Sequence, residues 1–223
     1  MVATVFIYIL FCLFAYLFGS LNFAVLISKL KGRDIRKLGS GNPGTMNMRR
    51  QFGFGIAFLT MTLDVLKGVI PCIVGWWLLG NRWQLDYNHL GIYVGGAAAI
   101  VGHIFPVFYK FRGGKGVATS IGIGLVINPV LTIVLFVAGF IFMAISHMGS
   151  ITSFFVISPP LIWELYRLSG SGGVYGYIVA GQILLMFLLC LTIWAHRGNV
   201  VKLFMGTESK TRVFNSKKEK LIK

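Results

Sequence analysis

Three polar segments of the chain, residues 39–50, 111–116 and 196–202, combine glycine with basic, hydroxyl and amide side chains. Glycine lets backbone N–H groups approach an anion closely, and the first turn of a following helix presents further unpaired N–H groups. An arginine can hold a phosphate through two parallel hydrogen bonds, whereas a lysine acts as a compact positive charge. The three segments therefore predict contacts with substrates that carry phosphate groups.

The first segment opens with GSGNPG at residues 39–44. These letters satisfy G-x-G-x-x-G, but that pattern indicates dinucleotide binding only between a strand and a helix, and here it separates two apolar stretches. An ordinary turn bearing basic residues is the alternative interpretation. The candidate substrate-binding residues of this segment are Ser40, Gly41, Asn42, Asn47 and Arg50.

The second segment reads FRGGKG and supplies Gly113, Gly114 and Lys115. Gly116 stands where a P-loop has Ser or Thr, and no strand precedes the segment, so it is not a Walker A motif. A glycine turn with a central lysine before an uncharged helix still forms a suitable phosphate cradle. His103 lies upstream at the end of an apolar stretch, where an interfacial histidine and a catalytic histidine are both open interpretations.

The third segment contains His196, Asn199 and Lys202, which share one face if the segment is helical, because they are three residues apart. Histidine exchanges protons near neutral pH, so His196 is a candidate general base. A basic membrane anchor behind the interfacial Trp194 is the alternative interpretation. Glu208 follows the segment and is predicted to have a structural role.

A fourth polar group, Asp64-Val-Leu-Lys67-Gly68, lies within a long apolar stretch. Charges at membrane depth are costly and usually pair, and the i, i+3 spacing lets Asp64 and Lys67 neutralise each other. A structural ion pair that organises the site and direct substrate contact by Lys67 are both open. Asp64 and Gly68 are assigned structural roles.

The residue types that are missing also restrict the chemistry. The sequence has only six Asp and Glu against 21 Lys and Arg, and it contains no Ser-His-Asp order, carboxylate dyad or cluster with metal-ligand spacing. Its three cysteines form no C-x-x-C motif. We therefore expect no metal and no cofactor, and a reaction in which cations and backbone donors act on a negatively charged substrate.

The composition indicates that apolar helices in a membrane position these segments. Of the 223 residues, 56% are hydrophobic and 12% are charged, about half the charged fraction of a soluble domain. The expected fold is an all-α polytopic membrane bundle with about seven transmembrane segments. Asn128-Pro129 is expected to divide the stretch 117–147, which could otherwise form a single span. The predicted segments are 3–28, 54–80, 90–109, 116–128, 129–147, 149–165 and 174–195.

The distribution of basic residues predicts the orientation of the bundle. With seven crossings, the loops 29–53 and 110–115 and the tail from residue 196 share one side, and they hold 18 of the 21 Lys and Arg. The positive-inside rule then places the N-terminus outside and the C-terminus in the cytoplasm. Residues 1–210 are expected to form one domain and 211–223 a basic tail. The net charge of +15 favours lipid or anionic substrates over nucleic acid, because the basic residues flank membrane segments.

Taken together, the polar groups resemble the motifs of the bacterial acyl-phosphate:glycerol-3-phosphate acyltransferases (PlsY), over about residues 1–210. The resemblance implies a seven-helix enzyme of the bacterial inner membrane that functions in phospholipid synthesis. It would transfer an acyl chain from acyl phosphate to the 1-hydroxyl of glycerol 3-phosphate, giving lysophosphatidic acid and phosphate. We expect it to be a monomer. The matching motifs are GSGNPG with Asn47 and Arg50, D-x-x-K-G at 64–68, GH at 102–103, FRGGKGVAT at 111–119, HR-x-N at 196–199 and GTE at 206–208.

By matching positions, the resemblance places Ser40, Arg50, Lys115, His196 and Asn199 in a polar pocket that faces the cytoplasm. Ser40, Lys115 and His196 are the candidate catalytic residues. Direct transfer in a ternary complex is expected, with the proton passing to the substrate's own phosphate or to His196; a covalent acyl-Ser40 is a third route. The alternative function is a transporter of an anionic solute or lipid, because broken helices that end at a basic site are typical of carriers.

Overall fold

The computed structural model describes residues 2–82 and 89–207, which form ten α-helices and no β-strand. A π-helical turn, Trp76–Arg82, continues α4, and short 3-10 turns occur at Ile35–Lys37 and Val107–Tyr109. The all-α fold is confirmed for these residues. The helices are α1 Val2–Gly19, α2 Phe23–Leu30, α3 Thr45–Phe52, α4 Phe54–Gly75, α5 Leu90–Ile104, α6 Val117–Ile127, α7 Pro129–Ser146, α8 Gly149–Ser169, α9 Tyr175–Ala195 and α10 Arg197–Phe204.

Five of the seven predicted apolar segments form helices that are long and apolar enough to cross a membrane. The segment predicted at 116–128 forms the 11-residue helix α6, and the one predicted at 149–165 lies within the 21-residue helix α8. The chain is therefore a multi-pass helical membrane protein. The five candidate spans are Val2–Leu30, Phe54–Gly80, Leu90–Tyr109, Pro129–Ser146 and Tyr175–Ala195.

Asn128 separates α6 from α7, which confirms the expected break. Its side-chain Oδ1 accepts a hydrogen bond from the backbone N–H of Leu131 at 3.1 Å and so caps α7. Pro129 occupies the first position of α7. The N–H at this position has no partner within a helix, so proline is tolerated there. The two helices are therefore distinct elements, and α6 is short.

Small residues allow α4 to pack closely against its neighbours. A Cβ atom added to Gly68 would overlap the backbone carbonyl of Thr119 in α6, and one added to Gly75 would overlap the carbonyl of Gly91 in α5. Helices in lipid associate largely through van der Waals packing, and such close backbone approach provides it. The contacts between α4, α5 and α6 therefore form a tightly packed centre beside which the polar segments are held.

Candidate active site

The three separated polar segments of the chain meet around one cavity of about 440 Å³. The loop before α3 contributes to its wall, as do residues of α3, α4, α6, α7, α8 and α10. The structure thus brings together most of the residues that the sequence singled out. The predicted site residues in the cavity wall are Ser40, Asn42, Asn47, Arg50, Asp64, Lys115, His196 and Asn199.

Four helices begin at this cavity. Gly44, which precedes α3, lines the wall, as do Val117 and Gly149, the first residues of α6 and α8, and His196, which precedes α10. None of the four helices has an acidic residue in its first turn. A helix N-terminus carries a partial positive charge and unpaired N–H groups, so this end of the cavity favours anions even before its side chains are considered.

A chain of hydrogen bonds ties three of these helix starts together. The Lys115 ammonium donates a hydrogen bond to Oδ1 of Asn199, and Nδ2 of Asn199 donates to Oγ of Ser150 at 2.6 Å. Both ends of the Asn199 amide are therefore fixed in one orientation. The chain connects the starts of α6, α10 and α8 and holds the Lys115 charge at the cavity wall.

His196 is buried and its ring orientation is fixed by the main chain. Its Nδ1 lies 2.9 Å from the carbonyl oxygen of Thr192. Because a carbonyl can only accept, Nδ1 carries the hydrogen, and Nε2 of the neutral ring carries the lone pair. The ring also packs against Phe154, with 5.2 Å between ring centroids. This tautomer gives His196 a proton-accepting nitrogen.

Asn47 is buried and its side chain holds the loop that carries Ser40. Its Nδ2 donates to the carbonyl oxygens of Leu38 at 2.9 Å and Ile35 at 3.4 Å, and its Oδ1 accepts from the Ser40 N–H at 3.3 Å. A Cβ atom at Gly39 would come within 2.5 Å of the same Oδ1. The loop therefore packs directly on the Asn47 amide, and the side-chain amide groups of Asn47 are engaged with the main chain.

Asp64 and Lys67 form the ion pair predicted from their spacing, with 2.7 Å between Lys67 Nζ and Asp64 Oδ1. Both side chains are almost completely buried, and the ammonium also donates to the carbonyl oxygen of Leu21 at 2.9 Å. Only the Asp64 side of the pair reaches the cavity wall, next to the buried His103, whose Nδ1 lies 3.9 Å from Asp64 Oδ1. The direct substrate contact considered for Lys67 remains a prediction.

Several predicted glycines lie behind the cavity wall. The N–H groups of Gly113 and Gly114 donate to the carbonyl oxygens of Ile104 and His103, at 3.1 and 3.2 Å. These amides therefore satisfy the last carbonyls of α5, and they provide a turn that presents Lys115. Their binding roles stay predictions.

Gly41 likewise donates to the carbonyl of Leu38 at 3.0 Å and has a φ of +70°, which favours glycine. Its predicted role in substrate binding is not tested by these contacts, and it is not among the residues that line the cavity. Glu208 lies outside the described residues. Within residues 2–82 and 89–207, no three His, Cys, Asp or Glu side chains group together as metal ligands would.

A family model described as glycerol-3-phosphate acyltransferase matches residues 9–206. The chain belongs to this family. It is 36% identical over 208 residues to the glycerol-3-phosphate acyltransferase of Thermoanaerobacter pseudethanolicus, covering 91% of this chain and 94% of the relative. It is 37% identical over 200 residues to that of Pseudomonas paraeruginosa, covering 89% and 97%. The resemblance seen in the motifs is thereby confirmed.

The fold is also similar to two crystal structures of PlsY (YgiH), an integral membrane glycerol 3-phosphate acyltransferase. Its glycerol 3-phosphate form has a TM-score of 0.75 and 30% identity, with 97% of this chain and 99% of that chain covered. Its lysophosphatidic acid form has a TM-score of 0.73 and 31% identity, with 91% and 94% covered. Of the two functions left open by the sequence, these relationships support the acyltransferase.

This acyltransferase cavity also contains residues that the sequence reasoning did not assign. Ser150 is the second residue of α8 and lies within the apolar segment predicted at 149–165, where a single serine gives no signal of a polar site. Lys202 was noted for its spacing but given no role. The unassigned polar residues of the wall include Thr45, Ser150, Thr152, Ser153 and Lys202, and the larger apolar ones include Met46, Met61, Val117, Ile121, Phe136, Phe140, Met143 and Val156.

Proposed function

We propose that this acyltransferase moves an acyl chain from acyl phosphate to the 1-hydroxyl of glycerol 3-phosphate, producing lysophosphatidic acid and phosphate. The observation that carries the proposal is the composition of the cavity, which has helix starts and basic side chains in one part and large apolar side chains in another. The two substrates together bring two phosphate groups and one acyl chain. A single cavity of this composition suits both at once.

The phosphate-binding part of the cavity has three basic side chains in its wall, those of Arg50, Lys115 and Lys202. Among residues 2–82 and 89–207, Asp64 supplies the only carboxylate that lines the cavity, and Lys67 neutralises it from behind. The local charge is therefore positive. In the proposed complex Lys115 and Arg50 hold the phosphates, and the helix starts stabilise the oxyanion that develops on the acyl carbonyl.

The apolar part of the cavity suits an acyl chain. Phe136, Phe140 and Met143 recur along α7 at spacings of four and three residues and so face the cavity as a stripe. Met61 of α4 and Ile121 of α6 lie in the same wall. Phe140 is 41% exposed, so the stripe reaches the lipid-facing surface of the bundle. An acyl phosphate can therefore enter from the bilayer with its head group at the helix starts.

The reaction we propose is direct transfer. The 1-hydroxyl oxygen attacks the acyl carbonyl carbon, the bond from that carbon to the phosphate oxygen breaks, and phosphate leaves with the electron pair. Ser40, His196 and Asn199 orient glycerol 3-phosphate, and the hydroxyl proton passes to the departing phosphate. His196 Nε2 is the competing proton acceptor, because its hydrogen-bonded Nδ1 leaves the lone pair on Nε2. Holding the reactants together supplies much of the rate enhancement.

Asn47 positions the Ser40 loop in this scheme, and the substrate contact predicted for it stays a prediction. Its bonds to Leu38, Ile35 and Ser40 make it the residue that fixes the Ser40 loop. Gly68, packed on Thr119, and the Asp64–Lys67 pair hold α4 in place behind the site. No metal or cofactor is part of the proposed mechanism.

We further propose seven crossings, α1 and α4 to α9, with the N-terminus outside and the C-terminus in the cytoplasm of a bacterial inner membrane. Supporting this, α4, α6, α8 and α10 start at the side where 12 of the 15 Lys and Arg within residues 2–82 and 89–207 are found. The cavity would then face the cytoplasm. Residues 1–210 act as one domain, with 211–223 as a basic tail.

The proposed enzyme is a monomer. Gly91 and Gly95 lie on one face of α5, and a face of small residues can pack against a second chain. Here this face packs inside the chain, because a Cβ atom at Gly75 would overlap the Gly91 carbonyl and one at Gly95 would overlap the Pro71 carbonyl.

The proposal is tested by supplying acyl phosphate and labelled glycerol 3-phosphate to the purified protein in detergent. Labelled lysophosphatidic acid is the expected product, and an acyl thioester in place of acyl phosphate is expected to give none. Equal turnover of the thioester would show that the donor is misassigned. If label accumulates inside vesicles without forming a covalent product, the chain acts as a carrier and the proposal fails.

A further inference from the structure

Helix α10 presents two chemically different faces. With about 3.6 residues per turn, Asn199 and Lys202 fall on one side of the helix, and both line the cavity. Val201 and Phe204 fall on the other side, and Met205 follows at the helix end. These three apolar side chains are 51%, 88% and 71% exposed. A helix that positions two cavity residues therefore has an apolar outer face without a protein partner among the described residues.

The chain's own packing holds α10 at few points. The helix contains no buried residue. The bonds of Asn199 to Lys115 and Ser150 attach its inner face, and Arg197 lies over the Trp194 ring at 3.9 Å from the centroid. An amphipathic helix needs an apolar environment on its apolar face, because leaving that face in water forfeits the burial that stabilises it.

The lipid-facing surface of α9 leads directly to this face. Ile183, Met186, Phe187 and Ile193 are all exposed along α9, a candidate span that contains no charged residue. Trp194 at its end is 43% exposed, and tryptophan is enriched where a membrane meets water. The lipid surface is therefore continuous from α9 to the outer face of α10.

The charges on α10 identify the kind of lipid. Arg197 begins the helix and lies one turn before Val201 on the outer side, and no acidic residue lies within Arg197–Phe204. Basic residues next to a membrane surface are attracted to anionic head groups, and an amphipathic helix with an apolar face and basic flanks typically lies in the interface plane.

We propose that the outer face of α10 docks into a lipid surface that contains anionic head groups, and that this docking holds Asn199 and Lys202 at the cavity. The docking does not depend on the proposed function, whereas its effect on catalysis rests on that function. The enzyme would then require a charged bilayer for full activity, in addition to its substrates.

Docking is tested by spin labels in nanodiscs, either of phosphatidylcholine alone or with added phosphatidylglycerol. Phe204→Cys carries the label, in a chain where the accessible Cys12 and Cys190 are replaced by serine. The matched control is Lys31→Cys, an exposed position in the loop after α2. We expect the label at 204 to collide with oxygen more than with a water-soluble nickel chelate, most strongly with anionic lipid, and the label at 31 to do the reverse.

Equal nickel accessibility at the two positions would overturn the proposal. Dipolar broadening between labels at 204 would also overturn it, because it would show that a second copy of the chain covers this face.

The catalytic consequence is tested with the Phe204→Ser, Met205→Ser double variant. We expect kcat/KM to fall several-fold in anionic nanodiscs with an unchanged Tm. Val130→Ser, which removes an exposed apolar side chain at the start of α7, is expected to change neither quantity. Normal kcat/KM in the double variant would refute the claim that docking holds Asn199 and Lys202 at the cavity. If wild-type protein forms no product, the proposed function fails while the spin labels still decide whether α10 docks.

Discussion

Two acid–base pairs of identical spacing lie in different regions of the bundle and are built differently. Asp64–Lys67 in α4 borders the cavity, and Glu164–Arg167 in α8 lies more than four helical turns from the cavity end of that helix. Each is an i, i+3 pair with 2.7 Å between nitrogen and oxygen. The spacing predicts the pairing in both, but it does not predict what either pair does.

The difference between the pairs lies in their surroundings. The Lys67 side chain is 0% exposed and depends on Asp64 and the Leu21 carbonyl, whereas the Arg167 side chain is 43% exposed and reaches the surface. Glu164 also accepts a hydrogen bond from Tyr93 in α5, so the second pair ties α8 to α5. The first pair supports the active site from within, and the second fastens the far end of the bundle.

The largest expected effect is the loss of acyl transfer when a basic side chain in the cavity wall is removed, compared with the removal of a basic side chain elsewhere. Lys115→Ala removes a charge from the cavity wall, and we expect initial rates of acyl transfer to fall by about 10² to 10³, as for other losses of a preorganised electrostatic contact. Lys31→Ala, an exposed lysine in the loop after α2, is the matched control and should keep the wild-type rate. Similar losses in both variants would mean that general basic charge matters more than position at the cavity.

The two pairs should differ in stability when one partner is removed. Asp64→Asn leaves the Lys67 charge buried, so we expect the free energy of unfolding to fall by about 3–5 kcal/mol. Glu164→Gln should cost less, because Arg167 can turn to the surface. Denaturant unfolding in detergent measures both.

The double variant Asp64→Asn, Lys67→Met tests the cause of this loss. It removes the uncompensated charge and should recover much of the stability. Equal losses for Asp64→Asn and Glu164→Gln, or no recovery in the double variant, would contradict the distinction between the pairs.

Glycine substitutions near the two pairs extend the comparison to packing. A Cβ atom at Gly68 would overlap a backbone carbonyl, whereas one at Gly181 meets side-chain atoms of Leu168 and Tyr93 at 3.1 Å. Side chains can move aside more easily than a helix backbone. We therefore expect Gly68→Ala to destabilise by about 1–3 kcal/mol, and Gly181→Ala by less. The Tm in detergent should rank the variants in that order, and the reverse ranking would exclude backbone contact as the cause.

The smallest effect is expected at the Asp34–Arg36 pair in the loop before α3. Hydrogen bonds from the Arg36 guanidinium hold the pKa of Asp34 at about 2, below its ordinary value of about 3.9. A lowered folded-state pKa contributes stability above the unfolded pKa and loses it as the pH falls from about 4 towards 2. The stability difference between wild type and Asp34→Asn should therefore shrink over this range, as pH-dependent unfolding would show. A constant difference would mean that the carboxylate charge is not what stabilises the loop.

The sequence predicted much of the site because the residue types that bind phosphate are conspicuous among apolar residues. Ser40, Lys115, His196 and Asn199 stood out in this way, and all four reach the cavity. The break at Asn128 was also predictable, since a cap followed by proline is a local signal.

What the sequence did not reveal depends on tertiary contacts. Ser150 became part of the site only through its bond to Asn199, which is distant in the chain. The hydrogen bonds from the Gly113 and Gly114 amides to the end of α5 likewise depend on the helix that lies beside them. The apolar wall formed by Phe136 and Phe140 depends equally on which helices become neighbours.

The central claim is that both substrates occupy the cavity together and react directly. Initial rates measured while acyl phosphate and glycerol 3-phosphate are varied against each other test it most directly. The account predicts double-reciprocal lines that intersect, with no acylated protein recovered after mixing with acyl phosphate alone. Parallel lines, together with an acyl group recovered on Ser40, would contradict it.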